Sequence, residues 1–367
     1  MFSNLLYFVY LLALTLFVEE GAVPFWITLL AVLPLGAFTY FTRLKLKQTL
    51  LISLAYLTIL TFLKLISWSP LLVLTFIFNL WLHTLRSPWD KKAFRFLLPF
   101  TLPYLIISPF SLFFNEDWTL ILSFLLMIAM FAFFPFLVQK IWQSKPLEPS
   151  PLKSELEALC KKAQFKHGGL LEWTLLSGYI TAGIMGVIPK FRYVLFTPSL
   201  LRNLKPTSIQ AVLAHEMGHH FYKHLWIFPI LILSVVYTAG WLTYLLPIEN
   251  DWISNLVFIV IALIYARIVG GFYSRLFERQ ADLYPLKLGL PMEYTIDALE
   301  EVAQASGASK TKPSWHHFSI DERVKFLEEV KNDPKIIVKH NRKTTIAIFF
   351  LIIYVITLML LVYVNDF

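Results

Sequence analysis

The sequence predicts a mainly α, polytopic helical membrane protein that carries an α+β domain at one face of the bilayer. Three observations predict it. Of 367 residues, 57% are hydrophobic and only 15% are charged, whereas about a quarter are charged in a soluble domain. The apolar residues come in long runs rather than at helical intervals among charges, which marks membrane spans. Basic and acidic residues also alternate between successive loops.

Nine apolar segments can be marked: Leu5–Val18, Pro24–Thr42, Leu50–Ser67, Leu71–Leu85, Phe96–Phe114, Trp118–Gln139, Leu225–Leu246, Trp252–Val269 and Thr345–Val364. A spanning helix needs about 20 apolar residues, so the first and fourth are short and could be partial spans. The first has neither a basic start nor a small-residue cleavage site, and is read as a retained anchor. Arg43, Lys45 and Lys47 follow the second segment, Arg86, Lys91, Lys92 and Arg95 the fourth, and Lys140 and Lys145 the sixth. The intervening loops carry Glu19 and Glu20, Glu116 and Asp117, then Glu249 and Asp251. The positive-inside rule then puts the basic loops and the amino terminus in the cytoplasm, and an odd number of spans puts Phe367 outside.

This reading divides the chain into five parts. Residues 1–141 form a membrane bundle of about six spans. Residues 142–224 form a first cytoplasmic stretch, 225–270 a transmembrane pair, 271–343 a second cytoplasmic stretch, and 344–367 a last span. The first cytoplasmic stretch opens with a Pro-rich linker and an amphipathic helix near Leu152–Ala163. Two strands follow, Ile180–Gly186 and Tyr193–Thr197, turning at Ile188-Pro189-Lys190.

Some classes are disfavoured. The net charge of +8 resides in short topogenic loops, so nucleic acid is not an expected partner. Cys160 is the sole cysteine, which rules out an internal disulfide and a four-cysteine zinc site. A transporter would carry charges near the bilayer midplane or symmetry-related broken helices, and neither is evident.

The run Ala211-Val212-Leu213-Ala214-His215-Glu216-Met217-Gly218-His219-His220 carries the chemistry. On a helix His215 and His219 share a face, so both imidazoles reach one ion, and Glu216 lies beside them as a base for water activated there. Thr207 and Gln210 after Pro206 are expected to form a capping box that starts this helix. A lone H-E-x-x-H also fits a polar juxtamembrane helix, and a catalytic zinc needs a third protein ligand. Glu278, in Glu278-Arg279-Gln280-Ala281-Asp282, is the candidate. Asp282 is one turn on, placed to accept the free ring N–H of a ligand histidine. Alone, that carboxylate pair would mark a solvated helix face; with H-E-x-x-H on the same membrane side, the combination is specific. His220 and His224 fall off the metal-facing spacing and are read as helix-surface or outer-layer residues.

These residues resemble the membrane zinc metallopeptidases that include the HtpX heat-shock protease and the type I CAAX prenyl protease. The likeness covers about Leu170 to Leu327. It rests on His215-Glu216-Met217-Gly218-His219, on Glu278 to Asp282, and on His317-Phe318-Ser319-Ile320-Asp321-Glu322-Arg323, which looks like the family's H-P-S-x-x-x-R with Phe318 in place of Pro. It implies a zincin-like (gluzincin) domain that binds one Zn2+ per chain and acts as an endopeptidase. It also implies that His317, or its neighbour His316, stabilises the oxyanion with Arg323 orienting it. Ser319 and Glu322 also read as a capping box. The strand Thr181-Ala182-Gly183 would hold the substrate backbone as an added strand, although the family commonly has Asn where Thr181 stands.

The expected setting is a bacterial inner (plasma) membrane, with the active site cytoplasmic. The expected partners are the lipid bilayer and a polypeptide or membrane-protein substrate; homo-oligomerisation is left open. Quality control of membrane proteins is the favoured role. Processing of lipidated, CAAX-type peptides is the alternative, and a catalytically inactive scaffold is the reading from another class.

Overall fold

The computed structural model describes residues 27, 30–35, 38, 46–62, 69–86, 91–107, 116–307, 309–313 and 318–364. The chain separates into two compact units, Met1–Ser144 and Lys145–Phe367. In the first, the described helices are α1 (Leu46–Phe62), α2 (Ser69–Arg86), α3 (Lys91–Ile107) and α4 (Glu116–Ile141), each packed on its neighbour in sequence. Leu50, Leu57, Phe76, Leu80 and Leu97 are buried. The two halves of α4, Ile121–Met130 and Ala132–Ile141, meet at 57°. Pro135 explains the position of the bend, because it has no N–H for the carbonyl four residues back, at Phe131.

The second unit begins with β1 (Lys145–Pro146), α5 (Pro151–Lys162), β2 (Gly169–Glu172), β3 (Ala182–Met185) and β4 (Tyr193–Phe196). Ser150 caps α5 by accepting from the Lys153 amide, with Pro151 in the first turn, and Leu156, Leu159 and Cys160 face inward. The sheet order is β1-β2-β4-β3, with β2 and β4 parallel and both outer pairs antiparallel. All four residues of β4 are buried, as a central strand requires. The two expected strands are present, though the first is shorter than the sequence suggested and begins at Ala182. β1 and β2 were not anticipated.

Next come α6 (Pro198–Asn203) and α7 (Pro206–Phe221), which carries H-E-x-x-H. The expected Thr207–Gln210 capping box is absent. Pro206 occupies the first helical turn and Lys205 is the N-cap residue, so Thr207 lies past the capping position. The Lys205 amide is served instead by Glu301 Oε2 at 3.0 Å, and Gln210 Nε2 donates to Glu155 Oε2 of α5 at 2.9 Å. After Tyr222, Lys223 takes a left-handed conformation (φ 60°) and turns the chain into α8 (His224–Tyr244).

α9 (Asp251–Tyr265) packs against α8 and continues through a π-helical turn, Ala266–Gly270, into α10 (Gly271–Lys287). Together they form one 37-residue helix, Asp251–Lys287. At 1.5 Å per residue it is about 55 Å long, beyond the roughly 30 Å hydrocarbon core. Its polar end therefore projects from the bilayer as a direct extension of a span. α11 (Met292–Ser306), α12 (Ile320–Asn332) and α13 (Lys335–Val364) complete the unit. The expected capping box at Ser319 and Glu322 starts α12, with both reciprocal hydrogen bonds made.

Among the described residues, α8, the α9–α10 helix and α13 are long and apolar enough to cross a membrane, and α4 is a fourth if its two halves are one span. The protein is a multi-pass membrane protein. The shorter α1, α2 and α3 cover three further apolar segments. Leu5–Val18 lies outside the described residues, as does Pro24–Thr42 apart from 27, 30–35 and 38.

Candidate active site

α7 and α10 cross at very close range. A Cβ added to Gly218 would lie 2.8 Å from Tyr284 Cβ and 3.0 Å from Ala281 Cα. Only glycine on one helix and a small residue on the other permit this approach, which puts the E-x-x-x-A-D turn of α10 against the H-E-x-x-H turn of α7. A core of Leu156, Val194, Phe196, Leu213, Met217 and Tyr284 backs the crossing.

The crossing brings three donor groups together. His215 Nε2 lies 3.2 Å from His219 Nε2 and 3.7 Å from Glu278 Oε2, and His219 Nε2 lies 3.5 Å from Glu278 Oε1. One ligand atom from each residue falls within 4.8 Å of the others. A tetrahedral zinc site with bonds of about 2.1 Å has donor–donor edges of about 3.4 Å. The imidazole–imidazole distance and the two imidazole–carboxylate distances, which run to different oxygens of Glu278, all lie near that value, so the residues fit such an ion.

Around them is a hydrogen-bonded layer. Asp282 Oδ1 lies 2.9 Å from His215 Nδ1, so the His215 proton is held on Nδ1 and Nε2 keeps its lone pair. Arg323, from α12, grips Asp282 with Nε at 2.8 Å and Nη2 at 2.5 Å, and its Nη2 is 3.5 Å from Glu278 Oε2. Burial disfavours a charged His215 imidazole, but the Asp282 hydrogen bond and charge outweigh burial and leave its pKa above the ordinary histidine value. Burial likewise works against the Arg323 cation, and Asp282 more than compensates. Burial raises the Glu216 carboxyl above the usual carboxylate range, against the opposing pull of His215 and His219.

The cluster opens into a cavity of about 440 Å³. Its polar end is formed by His215, Glu216, His219, Glu278, Asp282 and Arg323, and its walls include Leu200, Val212, Ala298, Leu299 and Val302. Thr181 and Ala182 also line it, whereas Gly183 does not; Gly183 pairs with Leu195 inside the sheet. β3 is the outermost strand of the sheet beside this cavity, with an edge that no described strand occupies.

His316 and His317 lie outside the described residues. What Arg323 visibly orients is Asp282. The residue after His317, Phe318, is held under the guanidinium of Arg279, 4.1 Å from its ring centre. His220 points away from the cluster, edge-on to Phe165 at 5.2 Å, and burial with the nearby Arg192 charge lowers its pKa to about 4. His224 is fully buried, with Nδ1 3.0 Å from His219 Nδ1 and Nε2 3.1 Å from Gln280 Oε1. Sequence reasoning found neither this contact nor Gln280.

Two histidines and a glutamate from crossing helices, a glutamate beside them and a helix shared with the bilayer define a membrane metallopeptidase. The family model for peptidase family M48 matches residues 146–331, half of the chain, and the chain belongs to that family. The fold is similar to the crystal structure of S. mikatae Ste24p, with a TM-score of 0.52 and 20% identity, over 82% of this chain and 79% of that one. At that identity the likeness bears on the fold alone. No curated protein matches the sequence significantly.

Proposed function

We propose that this protein is a zinc endopeptidase that hydrolyses peptide bonds at the cytoplasmic membrane face, chiefly of membrane proteins in quality control. The observation that carries this reading is the clustering of His215, His219 and Glu278 within 4.8 Å beside Glu216. The site's position at the end of a helix that continues from a span supports a substrate arriving from the bilayer.

His215, His219 and Glu278 would hold a divalent ion, which would supply Lewis acidity toward the carbonyl and lower the pKa of water toward neutrality. Glu216 accepts the proton of the attacking water and passes it to the leaving amine. Asp282 fixes the ring orientation of His215, and Arg323 keeps Asp282 ionised and in place. The open edge of β3, with Thr181 and Ala182 at the cavity, receives the substrate backbone as an added strand. His317 is assigned the oxyanion role on the family resemblance.

Glu216→Gln in detergent-purified protein tests the mechanism. About one equivalent of zinc is expected to remain while cleavage of unfolded membrane substrates is lost. Retained cleavage, or a parent protein without zinc, would sink the reading. Assaying a prenylated peptide against its unmodified form separates quality control from lipidated-peptide processing: strict dependence on the prenyl group favours the second.

A further inference from the structure

Nothing in the H-E-x-x-H spacing explains why Nδ1 of His215 meets a carboxylate, Asp282, while Nδ1 of His219 does not. Its ring meets a second imidazole instead. Two neutral histidines joined Nδ1 to Nδ1, as His219 and His224 are at 3.0 Å, share one proton in that contact, so one ring donates and the other accepts. The donor is decided further out. Gln280 Oε1 only accepts, so His224 Nε2, 3.1 Å away, must carry the proton of that ring. His224 Nδ1 is then bare and accepts, the shared proton belongs to His219 Nδ1, and His219 Nε2 faces the ligand cluster with a free lone pair.

The Gln280 amide is itself held: its Nε2 donates to Asn341 Oδ1 at 2.9 Å. Asn341 stands on α13, the last spanning helix, and also bonds the Tyr222 hydroxyl. The centre of this chain is sheltered, since His224 is fully buried, Gln280 is 5% exposed, and the His224 ring stacks on Phe277 at 4.2 Å. If the Gln280 amide turned over, every bond in the chain would reverse. His224 would donate from Nδ1, and His219 would present an N–H where a lone pair is needed.

We infer that His224, Gln280 and Asn341 are positioning residues: a directional hydrogen-bond chain from the C-terminal membrane helix that selects the metal-competent tautomer of His219. The inference rests on His219 being a metal ligand, as in the proposed function. It goes further by naming three residues that touch neither metal nor substrate and by tying ligand chemistry to a spanning helix.

The decisive comparison is Gln280→Glu against Gln280→Met in the full-length protein, reading zinc affinity by chelator competition and the His219 tautomer by histidine 15N shifts. A packing role favours methionine, which fills the buried space without adding charge. The chain predicts the reverse, because a carboxylate can only accept and so enforces the competent direction. Gln280→Met should weaken zinc about ten- to a hundredfold, with Gln280→Glu within about threefold of the parent. Equal affinities, or Gln280→Met the tighter binder, would overturn the inference. If either Gln280 variant fails to fold, Asn341→Asp against Asn341→Leu repeats the comparison one bond further out, and the same ordering is required. A parent protein that binds no zinc refutes the proposed function itself, whereas a zinc-binding parent with indifferent variants refutes only the chain.

Discussion

Arg323 and Asp282 form a two-point ion pair, Nε to Oδ2 at 2.8 Å and Nη2 to Oδ1 at 2.5 Å, while that same Oδ1 meets His215 Nδ1 at 2.9 Å. A residue 41 positions from Asp282, on another helix, therefore sets the aim of His215, a proposed metal ligand. Arg323 presents a planar fork that matches the carboxylate, which an ammonium cannot do. Arg323→Lys should keep the charge yet lower zinc affinity about tenfold, and Asp282→Asn should lower it about ten- to a hundredfold. Chelator competition on the purified protein reads both, and unaltered affinity in Asp282→Asn would refute the orienting role.

Gly218 sets the separation of α7 and α10. In Gly218→Ala the new methyl would lie 3.0 Å from Ala281 Cα, which is backbone and cannot swing aside. The helices must part, at a cost of about 1–3 kcal/mol for overpacking. Because Glu278 rides on α10 and both histidines on α7, zinc stoichiometry should fall along with the thermal transition. A variant destabilised but fully zinc-loaded would show that the crossing governs packing only.

How legible this was in the sequence depended on whether a motif stayed inside one regular element. The pairs His215/His219 and Glu278/Asp282 each sit one turn apart on an unbroken helix, so spacing alone put them on one face. On spacing, His224 reads only as a helix-surface or outer-layer residue, because its offset from His219 fits no ligand position on a continuous helix. The chain does not stay helical there: Lys223 turns it in the left-handed region, and α8 starts afresh with His224 against His219. The shift from apolar to polar at residue 270 reads as a domain boundary, yet helical hydrogen bonding runs through it by way of the π turn. β1, with two residues, is too short to display a period.

Cys160 provides a pH-dependent test of the domain core. The thiol is 2% exposed, and burial, helped by the Glu157 charge, pushes its pKa up to about 12. In the unfolded chain it would titrate near 8.5. The folded state therefore holds this proton longer than the unfolded state does. Its contribution to stability is complete below about pH 8.5 and is lost as pH rises toward 12, at up to about 1.4 kcal/mol per pH unit. Cys160→Ala should flatten the alkaline loss of stability, and thiol reagents at pH 8 should label the native protein only as fast as it opens. Rapid stoichiometric labelling of the folded protein would contradict the buried assignment.

The apolar wall of the cavity predicts selectivity. Val212 lines it one helical turn before Glu216, and among the described lining residues the charged groups all belong to the cluster of His215, Glu216, His219, Glu278, Asp282 and Arg323. Val212→Phe narrows the space without touching His215, His219 or Glu278, so zinc content should stay at the parent value. Substrates with a bulky apolar side chain beside the scissile bond should lose about ten- to a hundredfold in kcat/KM, while those with alanine there should change little, since pocket size discriminates on that scale. A panel of fluorogenic peptides differing only at that position measures the ratio. A uniform loss across the panel would mean that Val212 supports the α7 helix rather than shaping the pocket.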